Sequence, residues 1–139
     1  MFTLNSFCDK MLNMNTLYVQ NAFIMKGIIM KIAIVGSRNL NGIALEKYIS
    51  DEVEEIVSGG AVGIDSCAAE YAKSRKIKLT EFLPEYEHYG RAAPIVRNKM
   101  IVDYVDKVLA FWNGHSKGTL SVIRYAEKIG KPIEIITLE

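Results

Sequence analysis

Apolar and polar positions alternate along this chain in short blocks whose period switches repeatedly. Residues 31–35 (Lys-Ile-Ala-Ile-Val) form a nearly continuous apolar run, as expected of a strand buried on both faces of a parallel sheet. Leu45, Tyr48 and Ile49 then share one side of a helical pattern, with Glu46, Lys47 and Asp51 elsewhere and Asn41 placed to cap it. Glu55-Ile56-Val57 reads as a second buried strand. A helix is predicted over about 66–76, with Cys67, Ala68, Tyr71 and Ala72 at three- and four-residue spacing. Residues 77–83 alternate as a third strand nearer an edge, and Pro84 stops it. The polar, aromatic stretch 85–91 reads as a surface loop able to close over a site. Pro94 suits the first turn of a helix carrying Val96, Met100, Ile101 and Tyr104. Residues 106–112 predict a fourth strand. A helix follows with Leu120, Ile123, Ala126 and Ile129 inward, closed by Gly130 and Pro132, and residues 133–138 make the last strand.

Strands that alternate with helices in this way predict the α/β class, with helices on both faces of a mainly parallel five-stranded sheet. Right-handed crossovers carry every strand-to-helix turn to the same sheet edge, where open α/β sheets bind ligands. Three such turns contain glycine: one at Gly36, one running from Gly59 to Asp65, and one from Gly114 to Thr119.

The first 29 residues depart from this rhythm. No basic region precedes a long apolar core, as a secretory signal would require, and the apolar run around Phe23 is too short to span a bilayer. They are read as a dispensable extension from an upstream start, with the domain beginning near Met30; the rival is an amphipathic arm that docks on a partner. The net charge is +1, and without Lys10, Lys26 and Asp9 of that extension 15 basic and 15 acidic residues remain. Such balance argues against binding nucleic acid through bulk charge. Two cysteines without a CxxC pair point to free thiols in a reducing compartment, and hence to a cytoplasmic protein.

The turn Ser58, Gly59, Gly60, Ala61, Val62, Gly63, Ile64, Asp65 places three glycines between a strand and a helix. Glycine costs more backbone entropy than other residues, so such a turn needs either tight geometry or a ligand at its N–H groups. Asp65 can brace the helix start or accept from a ribose hydroxyl. Gly118 and Thr119 open a helix, with Ser116 and Lys117 just before them, so backbone donors, hydroxyls and a cation are collected for a phosphate. For Thr119 alone, the competing role is an N-cap. Arg38, after Gly36 and Ser37, has to meet an anion or solvent, because burying it unpaired is costly. Arg97, beside Asn98, requires a partner as well, either ligand phosphate or Asp65. Trp112 is core or a base-stacking ring. His88 and His115 lack an acid or nucleophile partner. No metal and no cofactor is expected.

In order along the chain, Ile34-Val35-Gly36-Ser37-Arg38, the 57–65 turn, Gly90-Arg91-Ala92-Ala93-Pro94, Arg97-Asn98, the strand ending Phe111-Trp112, and Ser116-Lys117-Gly118-Thr119 resemble the YspA-type branch of the SLOG superfamily over residues 30–139. The resemblance implies a Rossmann-like three-layer sandwich that binds nucleotides or nucleotide-derived ligands. It also implies kinship with cytokinin-activating phosphoribohydrolases and with DNA-processing A proteins, which bind single-stranded DNA. The phosphoribohydrolases' motif Pro-Gly-Gly-x-Gly-Thr-x-x-Glu ends in a catalytic acid; here Gly118 and Thr119 are kept and Val122 stands at the acid's place. Arg97 corresponds to that family's arginine near the sugar or phosphate. Losing a positioned acid costs about 10²- to 10⁴-fold in rate. The leading expectation is therefore a nucleotide-binding sensor or processing component. A nucleotide hydrolase and a single-stranded nucleic-acid binder are the alternatives. A second copy of the chain is a further candidate partner, and a membrane is not.

Overall fold

The structure, a computed structural model, describes residues 30–40 and 42–138. The extension 1–29 and the expected cap Asn41 lie outside these. Among the described residues the order is β1 (Met30–Gly36), β2 (Val53–Ser58), α1 (Ile64–Arg75), β3 (Lys78–Glu81), α2 (Tyr86–Tyr89), α3 (Ala93–Tyr104), β4 (Lys107–Trp112), α4 (Lys117–Ile129) and β5 (Ile133–Thr137). All pairings are parallel and the strand order is β3-β2-β1-β4-β5, with β1 central and β3 at an edge.

Side chains alternate across β1 and so feed two cores. Ile32 and Ile34 pack with Ile56, Ile64, Ala68, Leu109 and Phe111 on the face that α1 covers. Ala33 and Val35 pack with Val57, Val108 and Ala110 beneath Ile101, Val102, Val122 and Ile123 of α3 and α4. The residues that β1, β2 and β4 turn to the second face are smaller than those on the first. This is a Rossmann-like three-layer sandwich, and because β2 and β4 flank β1 on opposite sides, a crevice opens beyond the C-terminal end of β1.

Several elements differ from the sequence expectation. The helix expected around Leu45 is a single 3-10 turn, Leu45–Lys47, in which Tyr48 N donates to Leu45 O at 2.9 Å. Leu45 and Ile49 are both buried, so their spacing marks a buried face without a longer helix. Helix α1 begins at Ile64, two residues early, because Gly63 adopts φ 80° and turns the chain directly into it. Strand β3 ends at Glu81, three residues before Pro84, and the expected loop 85–91 is helical, as α2 and a 3-10 turn at Gly90–Ala92. Met100 and Ile129, expected inward, are each 42% exposed, whereas Val102 and Val122 are buried.

Candidate functional site

At the crevice the three glycine turns meet and enclose a cleft of about 250 Å³. Its walls take Gly36 and Arg38 from the turn after β1, Gly59, Ala61 and Asp65 from the turn after β2, Arg97 and Asn98 from α3, and Ser116, Gly118 and Thr119 from the start of α4. Val35, Pro94, Ile101 and Val122 form an apolar floor; Val122 was expected here as the residue at the acid's place, and the other three were not among the candidate site residues. Val35 and Ile101 fall within the apolar periods of β1 and α3, so periodicity alone cannot separate them from the core.

The glycines act by permitting close approach. A Cβ on Gly36 would lie 2.7 Å from both Ile64 Cγ2 and Phe111 O, so Gly36 lets the start of α1 and strand β4 meet beside it. A Cβ on Gly63 would lie 2.2 Å from Arg38 O, so the second turn packs directly on the backbone of the first. Gly118, in contrast, has nothing within 4 Å of its Cβ position and faces open space in the cleft.

Helix α4 is capped at its N-terminus by Ser116, whose Oγ accepts from Thr119 N at 3.3 Å and lies 3.2 Å from Thr119 Oγ1. Asn113 Oδ1 accepts from the N–H groups of His115 and Ser116, which fixes the turn that delivers this cap. Thr119 N is thus satisfied, while the preceding amides of the first turn stand at the positive end of the helix dipole.

Arg97 is the bracket of the site. Its Nη1 donates to Gly59 O at 2.9 Å and to Phe82 O at 3.2 Å, and its Nε donates to Asn98 Oδ1 at 2.9 Å. The partners expected for it were ligand phosphate or Asp65; its hydrogen bonds instead go to two main-chain carbonyls and a neighbouring amide. Such long-range carbonyl contacts leave no local signal in sequence. Burial lowers the Arg97 pKa, opposed by the charge of Asp65 and reinforced by the nearby Arg38. Asp65 Oδ2 accepts from Ala61 N at 2.9 Å and so braces the glycine turn. Burial also pushes the Asp65 carboxyl above its ordinary range, against the Ala61 N–H and the Arg97 charge. Arg38 is exposed, and among the described residues it makes no ion pair.

Six candidate residues lie off the cleft wall. Ser37 is buried, and its Oγ has no hydrogen-bond partner among the described residues. Ser58 is fully buried and its Oγ accepts from Gly60 N at 3.3 Å. Gly60, at φ 73°, turns toward Leu83, and Gly63 packs on Arg38. Lys117 is exposed outside the cleft. Trp112 is half-buried against the second core, and its Nε1 donates to Ser116 O at 3.0 Å. Among the described residues no three His, Cys, Asp or Glu side chains converge as metal ligands, and no helix is long and apolar enough to cross a membrane.

The sequence profile of DNA recombination-mediator protein A matches residues 15–84, which takes in the turns after β1 and β2 but neither Arg97 nor α4. Gene 61 protein of Mycobacterium phage D29 is 34% identical over 84 residues, covering 56% of this chain and 67% of that protein. No solved structure matches the chain.

Proposed function

The chain belongs to the DNA recombination-mediator protein A family, and from that premise we propose that its cleft binds a nucleotide or nucleotide-derived ligand. The observation that carries this reading is the meeting of Arg38, Arg97 and the capped start of α4 in one cleft at the sheet's switch point. Backbone amides at a helix N-terminus and two guanidinium groups together favour an anion of phosphate size. Within the wider superfamily we assign the chain to the YspA-type branch, on the strength of Arg97-Asn98 and Ser116–Thr119. Both blocks lie outside the matched region.

Binding without hydrolysis is the better reading. Val122 is buried and lines the cleft at the position where phosphoribohydrolases carry their acid. Asp65 is the carboxylate in the cleft wall, and it is engaged by the Ala61 amide. The test is thermal unfolding across a panel of nucleoside mono- and diphosphates and ADP-ribose. A ligand at a hundred times its Kd adds about 2.7 kcal/mol to stability, which raises the Tm by several degrees in a domain of this size. No shift at millimolar concentrations of any of these would overturn the proposal.

The family description, DNA recombination-mediator protein A, favours a second reading, binding of DNA, and the resemblance to DNA-processing A proteins narrows it to single strands. Phosphate contacts along a strand make affinity fall steeply with salt. Oligonucleotide binding that survives high salt, or no binding at all, counts against it.

A further inference from the structure

The nucleotide reading accounts for a phosphate at the start of α4 and leaves the base without a platform. Trp112 is unsuited, since its ring packs on the second core and its N–H is committed to Ser116 O. The chain leaving β3 runs beside Arg97, a residue of the cleft wall. Phe82 O accepts from Arg97 Nη1 at 3.2 Å. Leu83 Cδ2 stands 2.7 Å from where a Cβ on Gly60 would project. The Tyr86 phenol is within electrostatic reach of the Arg97 guanidinium. Leu83 and Tyr86 nevertheless remain 62% and 59% exposed, and a shallow depression of about 500 Å³ opens beside Tyr86. Large apolar side chains left bare in one short stretch of chain mark a binding surface.

We propose that Tyr86 is the platform on which the base of a nucleoside monophosphate stacks, with the phosphate across the cleft at Ser116 and Gly118. This assignment rests on the nucleotide reading and adds the ligand's orientation and class. The cleft, at about 250 Å³, falls below the roughly 300–1,000 Å³ of most small-molecule sites, so it suits one phosphate and a sugar with the base at the rim. Glu85 and Glu87 flank Tyr86 in the chain and Glu81 ends β3, and all three are exposed. A longer nucleic-acid strand would carry its next phosphates past these carboxylates, whereas a mononucleotide presents only its base there.

The assignment separates cleanly from fold stability, because truncating a side chain this exposed removes little packing. Calorimetric titration of AMP and of ribose 5-phosphate would be run on wild type, Tyr86→Ala and Tyr86→Phe, after matching their unliganded Tm values. Stacking a base on an aromatic ring corresponds to about a five- to 150-fold change in affinity. Tyr86→Ala is expected to lose AMP affinity by that factor while ribose 5-phosphate binding is unchanged, and Tyr86→Phe to keep wild-type affinity for both. If wild type binds AMP and Tyr86→Ala binds it equally well, or loses both ligands in parallel, the stacking assignment falls and the nucleotide reading stands. If wild type binds neither probe, the stacking assignment and the mononucleotide class fall, and the nucleotide reading falls with them when the nucleoside diphosphates and ADP-ribose also give no shift. An oligonucleotide that binds more tightly than AMP overturns the mononucleotide class.

Discussion

The Arg97 guanidinium occupies the space that Gly59 leaves free. Its Nη1 donates to Gly59 O at 2.9 Å and lies 2.6 Å from where a Cβ on Gly59 would project. Gly59 has no positive φ, so a side chain there would meet the Arg97 guanidinium and no backbone restriction. Through that contact α3 holds the turn after β2, and through Phe82 O it holds the exit of β3 as well.

Gly59→Ala is therefore expected to displace Arg97 and to weaken nucleotide binding along with the fold. Overpacking of this kind costs about 1–3 kcal/mol. Arg97→Lys tests the same bracket from the other side, since an ammonium cannot reproduce the planar fork that serves Gly59, Phe82 and Asn98 together. Urea unfolding and calorimetric titration check both variants. A Gly59→Ala protein with wild-type stability and affinity would show that Arg97 is not held by this contact.

The turn after β1 depends on the turn after β2 through Gly63. Its φ of 80° and the 2.2 Å separation of its Cβ position from Arg38 O act together. Gly63→Ala is expected to lose roughly 3 kcal/mol or more, combining backbone strain with overpacking. The measurement is a fall in the urea midpoint at unchanged m-value.

Much of this architecture was legible from residue pattern, and the reasons for success and failure differ by element. Strands β1, β2 and β4 announce themselves through the apolar runs at 32–35, 56–57 and 108–111, as burial on both faces requires. Convergence of the three glycine turns followed from parallel connectivity alone. The apolar floor at Val35 and Ile101 was hidden, because a cleft wall and a core face share one period, whereas the motif register placed Val122 there. The partners of Arg97 were hidden because carbonyls at 59 and 82 are brought to it only by the fold. Tyr86 read as part of a loop because a four-residue helix is too short to establish a period.

One buried and one half-buried carboxylate are expected to drive stability in opposite directions with pH. Glu55 is 4% exposed and accepts from Thr80 Oγ1 at 2.6 Å and from Tyr104 OH at 2.8 Å. Burial alone would raise its pKa, but these two bonds, with Lys78 and Lys31, bring it below the ordinary 4.5. Its stabilisation is complete above 4.5 and is lost as pH falls through the depressed folded value. Asp65 is raised above 3.8, chiefly by burial, so its contribution has the opposite sign and stability declines as pH rises through its folded value. Relative to wild type, Asp65→Asn should gain stability as pH rises from about 3.8 toward neutrality, and Glu55→Gln should lose stability as pH rises toward 4.5. Urea midpoints measured across this range decide it; a difference between Asp65→Asn and wild type that does not grow with pH would contradict the assignment for Asp65.

Gly118 offers a variant in which fold and function should move in opposite directions. It is the second residue of α4, lines the cleft, and has nothing within 4 Å of its Cβ position. Replacing a glycine inside a helix recovers part of the ~1 kcal/mol that glycine costs there relative to alanine. An acid in the first turn also interacts favourably with the helix dipole, by about 0.3–1 kcal/mol. Gly118→Asp should therefore leave the unliganded Tm unchanged or slightly raised. The same carboxylate would stand where the phosphate is proposed to sit, repelling it and competing for the same amides. Nucleotide-induced stabilisation should consequently disappear in Gly118→Asp and be largely retained in Gly118→Ala, which adds a methyl group without charge. Thermal unfolding of the three proteins with and without AMP reads both effects at once. Equal ligand shifts in wild type and Gly118→Asp would place the phosphate away from the start of α4.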